Sequence, residues 1–131
     1  MSRSIQFERT ISYDKGVPAT YIRLIGPDGE DEALAVFDTG AQYCLFKGGR
    51  APGIGISLME GRRISLSSLG GEIVGYLHRI DIEIEGSRFK VEAVFSLNYI
   101  PREILGRHTL FEQVTWGLRE SQQEIYFSPQ P

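Results

Sequence analysis

Isoleucine recurs at every second position through Ile80, Ile82 and Ile84, and after the break Glu85-Gly86-Ser87 the chain resumes as an apolar strand from Phe89 to Phe95. A period of two lines one face of an extended strand, whereas a helix repeats every 3.6 residues, so this stretch cannot bury its apolar side chains as a helix. The same pattern runs from Thr20 to Ile25 and returns at Ile64 and Leu66. The chain of 131 residues therefore reads as all-β, one domain spanning residues 1–131.

Turn chemistry divides the strands. Asp14-Lys15-Gly16 ends an N-terminal strand that is bulged, because its apolar residues Ile5, Phe7, Ile11 and Tyr13 change phase. At Pro27-Asp28-Gly29 proline presets φ and glycine accepts positive φ. That turn joins the 20–25 strand to a strand from Ala33 to Phe37, a hairpin that presents Asp38 at its far end. Residues 48–61 carry Gly48, Gly49, Gly53, Gly55, Gly61 and Pro52 and read as loop. Ser67-Ser68-Leu69-Gly70-Gly71 joins two strands into a flexible hairpin, the second strand running over 72–84. Gly106 to Val114, with Leu110, Phe111 and Val114 on one face, is the only helical pattern, and Gln123 to Phe127 is a short last strand.

Composition excludes several function classes. A net charge of −3 and a pI near 5.4 argue against a nucleic-acid partner, and Arg62-Arg63 reads as a solvated strand end. No run approaches the roughly 18 apolar residues of a membrane span, and the first residues lack the apolar core of a signal peptide. Cys44 is the only cysteine, so no disulfide forms within the chain; between Tyr43 and Leu45-Phe46 it reads as a small buried side chain. These features fit a cytoplasmic protein. His78 and His108, thirty residues apart, do not make a metal-ligand pattern, no serine sits in a Gly-x-Ser-x-Gly elbow, and Gly53-Ile54-Gly55 lacks the helix of a phosphate loop. The expectation is no metal and no cofactor.

Chemistry concentrates at Ala33-Leu34-Ala35-Val36-Phe37-Asp38-Thr39-Gly40-Ala41, an apolar strand delivering an acid onto a turn. A carboxylate placed there is costly unless it is hydrogen-bonded or shares a proton. A second signal, Ile104-Leu105-Gly106-Arg107, sets an apolar pair and Gly-Arg at the mouth of the helical pattern, with Gly106 lying 68 residues after Asp38. The glycine-tipped hairpin stands between them.

The order strand, Asp-Thr-Gly, hairpin, apolar-apolar-Gly-Arg, helix, short strand resembles the retroviral-type, single-lobe aspartic proteases (retropepsins), from about Thr20 to Phe127. The resemblance implies a closed, barrel-like lobe with one short C-terminal helix, completed as a two-fold homodimer. It implies an aspartic endopeptidase that cleaves extended polypeptide segments. Two neighbouring carboxylates share one proton; one acid polarises the peptide carbonyl while the other carboxylate takes a proton from water. Asp14, Asp28, Asp31 and Asp81 are not followed by Thr-Gly or Ser-Gly, so the second carboxylate has to come from another copy of Asp38.

By the same resemblance, the Thr39 hydroxyl would reach across to the partner's loop and Gly40 would donate its amide to the carboxylates. Ile104, Leu105 and Gly106 would pack behind the catalytic loop. Gly70 and Gly71 would tip a flap over the substrate, with Gln42 and Tyr43 beside it. The segment Glu124 to Phe127 would interleave with the partner as an intersubunit sheet. Ala41 stands where pepsin-like enzymes commonly place a hydroxyl that stabilises the carboxylate, which points to activity at mildly acidic to near-neutral pH. Gln42 departs from the viral pattern, where an acid pairs with the arginine; Arg107 therefore lacks that partner. A non-catalytic, dimeric peptide-binding module is the competing reading, and the intact Asp38-Thr39-Gly40 favours the protease.

Overall fold

A computed structural model describes residues 2–14, 16–68 and 70–130. Among them run ten strands: β1 (Arg9–Ser12), β2 (Ala19–Gly26), β3 (Gly29–Phe37), β4 (Cys44–Lys47), β5 (Arg62–Ser68), β6 (Gly71–Ile84), β7 (Ser87–Ser96), β8 (Glu103–Leu105), β9 (Val114–Arg119) and β10 (Glu124–Pro129). Seven form one sheet in the order β2-β3-β8-β4-β7-β6-β5, and β2 also pairs with β6 through Arg23↔Glu83 to Ile25↔Asp81. The remaining three form a second sheet in the order β1-β10-β9.

The alternating segments fold as their period dictates. Ile80, Ile82 and Ile84 of β6 and Phe89, Val91, Ala93 and Phe95 of β7 are all buried in the main core. The two strands pair antiparallel from Gly75↔Ser96 to Ile84↔Ser87. Their two-residue turn, Glu85-Gly86, has positive φ at both positions (49° and 81°), the geometry that follows the right-handed twist of the flanking strands. The hairpin of β2 and β3 closes at Gly26↔Gly29 around Pro27-Asp28, and that of β5 and β6 at Ser68↔Gly71. Of the hairpin residues singled out from the sequence, Leu69 lies outside the described residues.

Residues 48–61 form three short 3-10 turns, at Gly48–Arg50, Pro52–Ile54 and Leu58–Glu60. The loop is packed: Ala51 and Ile54 are fully buried, and the Ile54 carbonyl accepts the Asp28 N–H at 3.2 Å.

Three expectations change. The helix expected from Gly106 to Val114 shrinks to one short helical segment, Arg107–Phe111, broken inside by His108 and Thr109, and Val114 already begins β9. Thr109 has φ +62°, costly for a β-branched residue, and is held by its hydroxyl, which accepts the Glu92 N–H (2.9 Å) and donates to the His108 carbonyl (2.7 Å). The terminal strand is the second correction. β10 is not an outer strand awaiting a partner chain, because β1 covers one of its edges and β9 the other. The N-terminal strand is shorter than expected, confined to Arg9–Ser12.

Candidate active site

β8 organises the site. It lies between β3, which it pairs in parallel through Ala35↔Glu103, Val36↔Ile104 and Phe37↔Leu105, and β4, which it meets antiparallel at Leu45↔Ile104. The chain leaving β3 therefore turns away over the end of β8. There the Leu105 carbonyl accepts the Asp38 N–H at 3.0 Å, so the acid is pinned at the strand end by a residue 67 positions later.

The Asp38 loop is built from local backbone bonds. The Gly40 N–H donates to Asp38 Oδ1 at 2.8 Å, and the Ala41 N–H donates to the Asp38 carbonyl at 3.2 Å. A Cβ on Gly40 would stand 3.2 Å from that same Oδ1, so glycine lets the carboxylate lie against the backbone. Asp38 is half-buried, whereas Thr39 and Gly40 are exposed.

Gly106 fits under this loop with no room to spare. A Cβ there would lie 2.5 Å from the Tyr43 carbonyl carbon and 3.0 Å from the Ala41 oxygen. Its N–H points at Cys44 Sγ (3.4 Å), the Arg107 N–H donates to the Ala41 carbonyl (3.0 Å) and the His108 N–H to the Gln42 carbonyl (2.6 Å). The structure thus brings Asp38 to Tyr43 against Leu105 to His108. Arg107 Nε also reaches the Ala41 oxygen at 3.4 Å, with its side chain exposed. Cys44 is fully buried here, and burial pushes its thiol up to about 12, which makes it packing rather than a nucleophile.

The glycine-tipped hairpin is joined to the loop by side chains rather than by its tip. Ile64 and Leu66 of β5, Ile73 of β6, Tyr43 and Ile104 are partly buried around a small core of Leu45, Leu77, Val94 and Ile100. This apolar surface runs from the flank of the Asp38 loop to the hairpin. Gly70 and Gly71 sit exposed at the hairpin's end, Gly71 with φ +122°.

Sequence reading overlooked two groups of residues. In the first, the Val74 N–H donates to Asn98 Oδ1 (2.7 Å) and the Leu97 N–H to the Val74 carbonyl (2.8 Å), which fastens residues 97–98 to the hairpin. Leu97 and Tyr99 are left largely exposed beside it, 51% and 86%. The second is a charged clamp at the far end of β8. Arg50 grips the buried Glu103 with two bonds of 2.6 Å, and its Nη1 reaches Asp31 Oδ2 at 2.7 Å and the Glu32 carbonyl at 3.0 Å. Glu103 also accepts the Lys47 N–H at 3.0 Å, so one carboxylate ties β4, β8 and, through Arg50, β3. These partners, 53 residues apart, offered no local signal; an acid immediately before the apolar pair was the only hint.

His78 and His108 are satisfied by neighbours: His78 Nε2 bonds the Leu58 carbonyl (2.7 Å), and His108 Nε2 bonds Glu92 (2.9 Å) behind the loop. Among the described residues no three His, Cys, Asp or Glu side chains gather as a metal group, and no helix is long and apolar enough to cross a membrane.

The architecture is the retropepsin-like aspartic protease fold. Solved structures that share it include the following two. One is a retropepsin-like aspartic protease from Rickettsia conorii, with a TM-score of 0.67 at 16% identity over 92% of this chain and 97% of that one. The other is EIAV protease complexed with the inhibitor HBY-793, with a TM-score of 0.56 at 20% identity over 74% of this chain and 88% of that one. No protein-family model and no curated protein sequence matches the chain.

Proposed function

We propose that the protein is an aspartic endopeptidase that works as a two-fold homodimer. The observation that carries this reading is the Asp38 carboxylate, held by the Gly40 N–H on a loop braced from beneath by Gly106, in a retropepsin-like fold. One half-buried carboxylate alone has no partner acid. Two copies facing each other across an axis share a proton, so that one acid polarises the scissile carbonyl while the other takes a proton from the attacking water. We read the β2–β6 pairing as closing the main sheet into the barrel-like lobe that presents this loop.

Each remaining residue then has a task. Thr39, exposed beside the acid, hydrogen-bonds the partner's loop and keeps the two acids in register. Ile104, Leu105 and Gly106 support the loop, and Arg107 holds its carbonyl at Ala41. The hairpin tipped by Gly70 and Gly71 closes over an extended peptide, which adds as a strand and lays alternate side chains on the apolar surface. Tyr43, Gln42, Leu97 and Tyr99 border that groove, so apolar residues flank the cleaved bond. No metal or cofactor takes part.

The test is cleavage of a diverse peptide library at several pH values by the wild type and by Asp38→Asn. Wild-type cleavage that the substitution abolishes is the expected result; equal behaviour of the two proteins refutes the reading.

A further inference from the structure

We propose that the outer face of the β6–β7 hairpin holds a binding site for a small organic carboxylate with an apolar body. The proposal does not rest on the protease reading: the cavity that carries it does not include Asp38.

The cavity measures about 610 Å³, within the range of small-molecule sites. Cross-strand register builds its floor. Ile25, Asp81 and Lys90 stand in one row across β2, β6 and β7, and Arg79 and Glu92 stand in the next, two positions along, so these side chains share a face. The main core takes the opposite face, with Ile80, Ile82 and Val91. Pro27, just beyond Ile25, walls the cavity on the β2 side, and Thr109, bonded to the Glu92 N–H, walls it on the β7 side.

Both walls are fixed in advance. The Asp28 N–H, next to Pro27, donates to the Ile54 carbonyl at 3.2 Å and ties the turn to the packed 48–61 loop. Thr109 is held at φ +62° by its bonds to Glu92 and His108. A β-branched residue keeps such a conformation only where its neighbours over-determine it, and conformations of this kind gather at ligand clamps. The site also favours a compact molecule over an extended peptide. β5 pairs with β6 as far as Leu77 and β2 as far as Asp81, so among the described residues only 78–80 have no strand on that edge, too short a gap for an added strand.

Charge selects the ligand. Asp81 takes both Arg88 (2.8 Å) and Lys90 (3.8 Å), and Glu92 takes both His108 (2.9 Å) and Arg79 (3.7 Å). Glu83, across from Arg88, is engaged by Arg23 at 3.2 Å. Three permanent cations thus line the cavity with two carboxylates, in a chain whose net charge is −3. Arg79 and Lys90 make the two long contacts, and their side chains are 89% and 92% exposed, so each can swing to an incoming anion without breaking a short bond. Their aliphatic stems, together with Ile25 and Pro27, meet the apolar body. A bare inorganic anion leaves that lining wet, and a neutral ligand leaves the surplus cation unpaired.

The test titrates the whole chain with 2-naphthoate and with its neutral counterpart 2-naphthamide, following the backbone amide resonances. Naphthoate is expected to half-saturate at about 1 mM or below, shifting Ile25, Gly26, Arg79, Asp81, Glu92 and Thr109. Naphthamide is expected to bind about 5-fold more weakly or worse. Arg79→Gln/Lys90→Gln should weaken naphthoate by about 5-fold or more and leave naphthamide unchanged. Both replaced side chains project into solvent, and the acid–amide comparison on the wild type decides the case without any variant. No saturation by about 10 mM, equal affinity for acid and amide, or unaltered naphthoate binding by the double variant overturns the site. So do shifts confined to Gly40, Ala41 and Gln42, or to Lys47 and Arg102 at the smaller cavity of about 370 Å³.

Discussion

Replacing Arg50 with methionine while Glu103 remains should be among the most destabilising single changes in the chain. Glu103 is 4% exposed and would lose both 2.6 Å bonds to the guanidinium, keeping only the Lys47 N–H. Removing one partner of a buried ion pair costs about 3–5 kcal/mol because the other charge stays desolvated. Arg50 is 21% exposed, so water reaches part of the vacated space and the low end applies, about 3 kcal/mol. The Asp31 bond adds little, under about 1 kcal/mol, since that carboxylate is 41% exposed. Against a total stability of about 5–15 kcal/mol this is a large fraction. The double variant Arg50→Met/Glu103→Met leaves no orphaned charge and should cost only about 1 kcal/mol. Urea unfolding of the wild type, both single variants and the double variant gives the coupling directly, expected at about 2 kcal/mol or more. Additive losses, or an Arg50→Met loss below about 1 kcal/mol, would show that the clamp is a surface ornament and not a brace for β8.

Gly106→Ala puts a methyl group against the Tyr43 and Ala41 carbonyls; we expect a loss of about 1–3 kcal/mol in urea unfolding and a larger proportional loss of peptide cleavage, as the Asp38 loop is pushed out of place. Ala41→Thr adds a hydroxyl beside the candidate acids and should move the acidic limb of the pH–rate profile to lower pH, while an unmoved limb would detach residue 41 from the chemistry. The hydrogen bond from His108 holds the Glu92 carboxyl below its ordinary value near 4.5. A lowered folded value stabilises the fold above the ordinary value and is lost as pH falls through the lowered one, so Glu92→Gln should flatten the decline in urea midpoint between about pH 5 and 3. Cys44, buried and with its thiol pushed up to about 12, should resist a thiol reagent at pH 8 in the native protein and react promptly in urea.

The strands that could be read from sequence are those with one face in the core. Ile80 to Ile84 and Thr20 to Ile25 alternate because burial selects every second side chain. β8 and β4, three and four residues long, are too short to show a period, and their neighbours in space are distant in the chain. Leu110, Phe111 and Val114 do have helical spacing, but Thr109 bonds Glu92 on β7, and that tertiary contact turns the chain out of the helix. The Asp38 motif was legible because it is local, with Gly40 demanded by the carboxylate two residues before it, whereas Gly106 answers to Ala41 and Tyr43 far away in the chain and was legible only through the apolar-apolar-Gly-Arg pattern around it. The Arg50 clamp and the fastening of Asn98 to Val74 are pairings across 53 and 24 residues, for which a single sequence has no marker.

The insertion of β8 between β3 and β4 also dictates when the site can exist. The bond from the Asp38 N–H ends on Leu105, and Gly106 fills the space beneath the loop. Contacts this distant in sequence form only after a large loop has closed, which slows folding. A nascent chain that has exposed Asp38 but not residue 106 carries the acid without its geometry. The carboxylate is made early and positioned late, because 68 of the 93 residues that follow Asp38 have to emerge before Gly106 can fill the space beneath its loop.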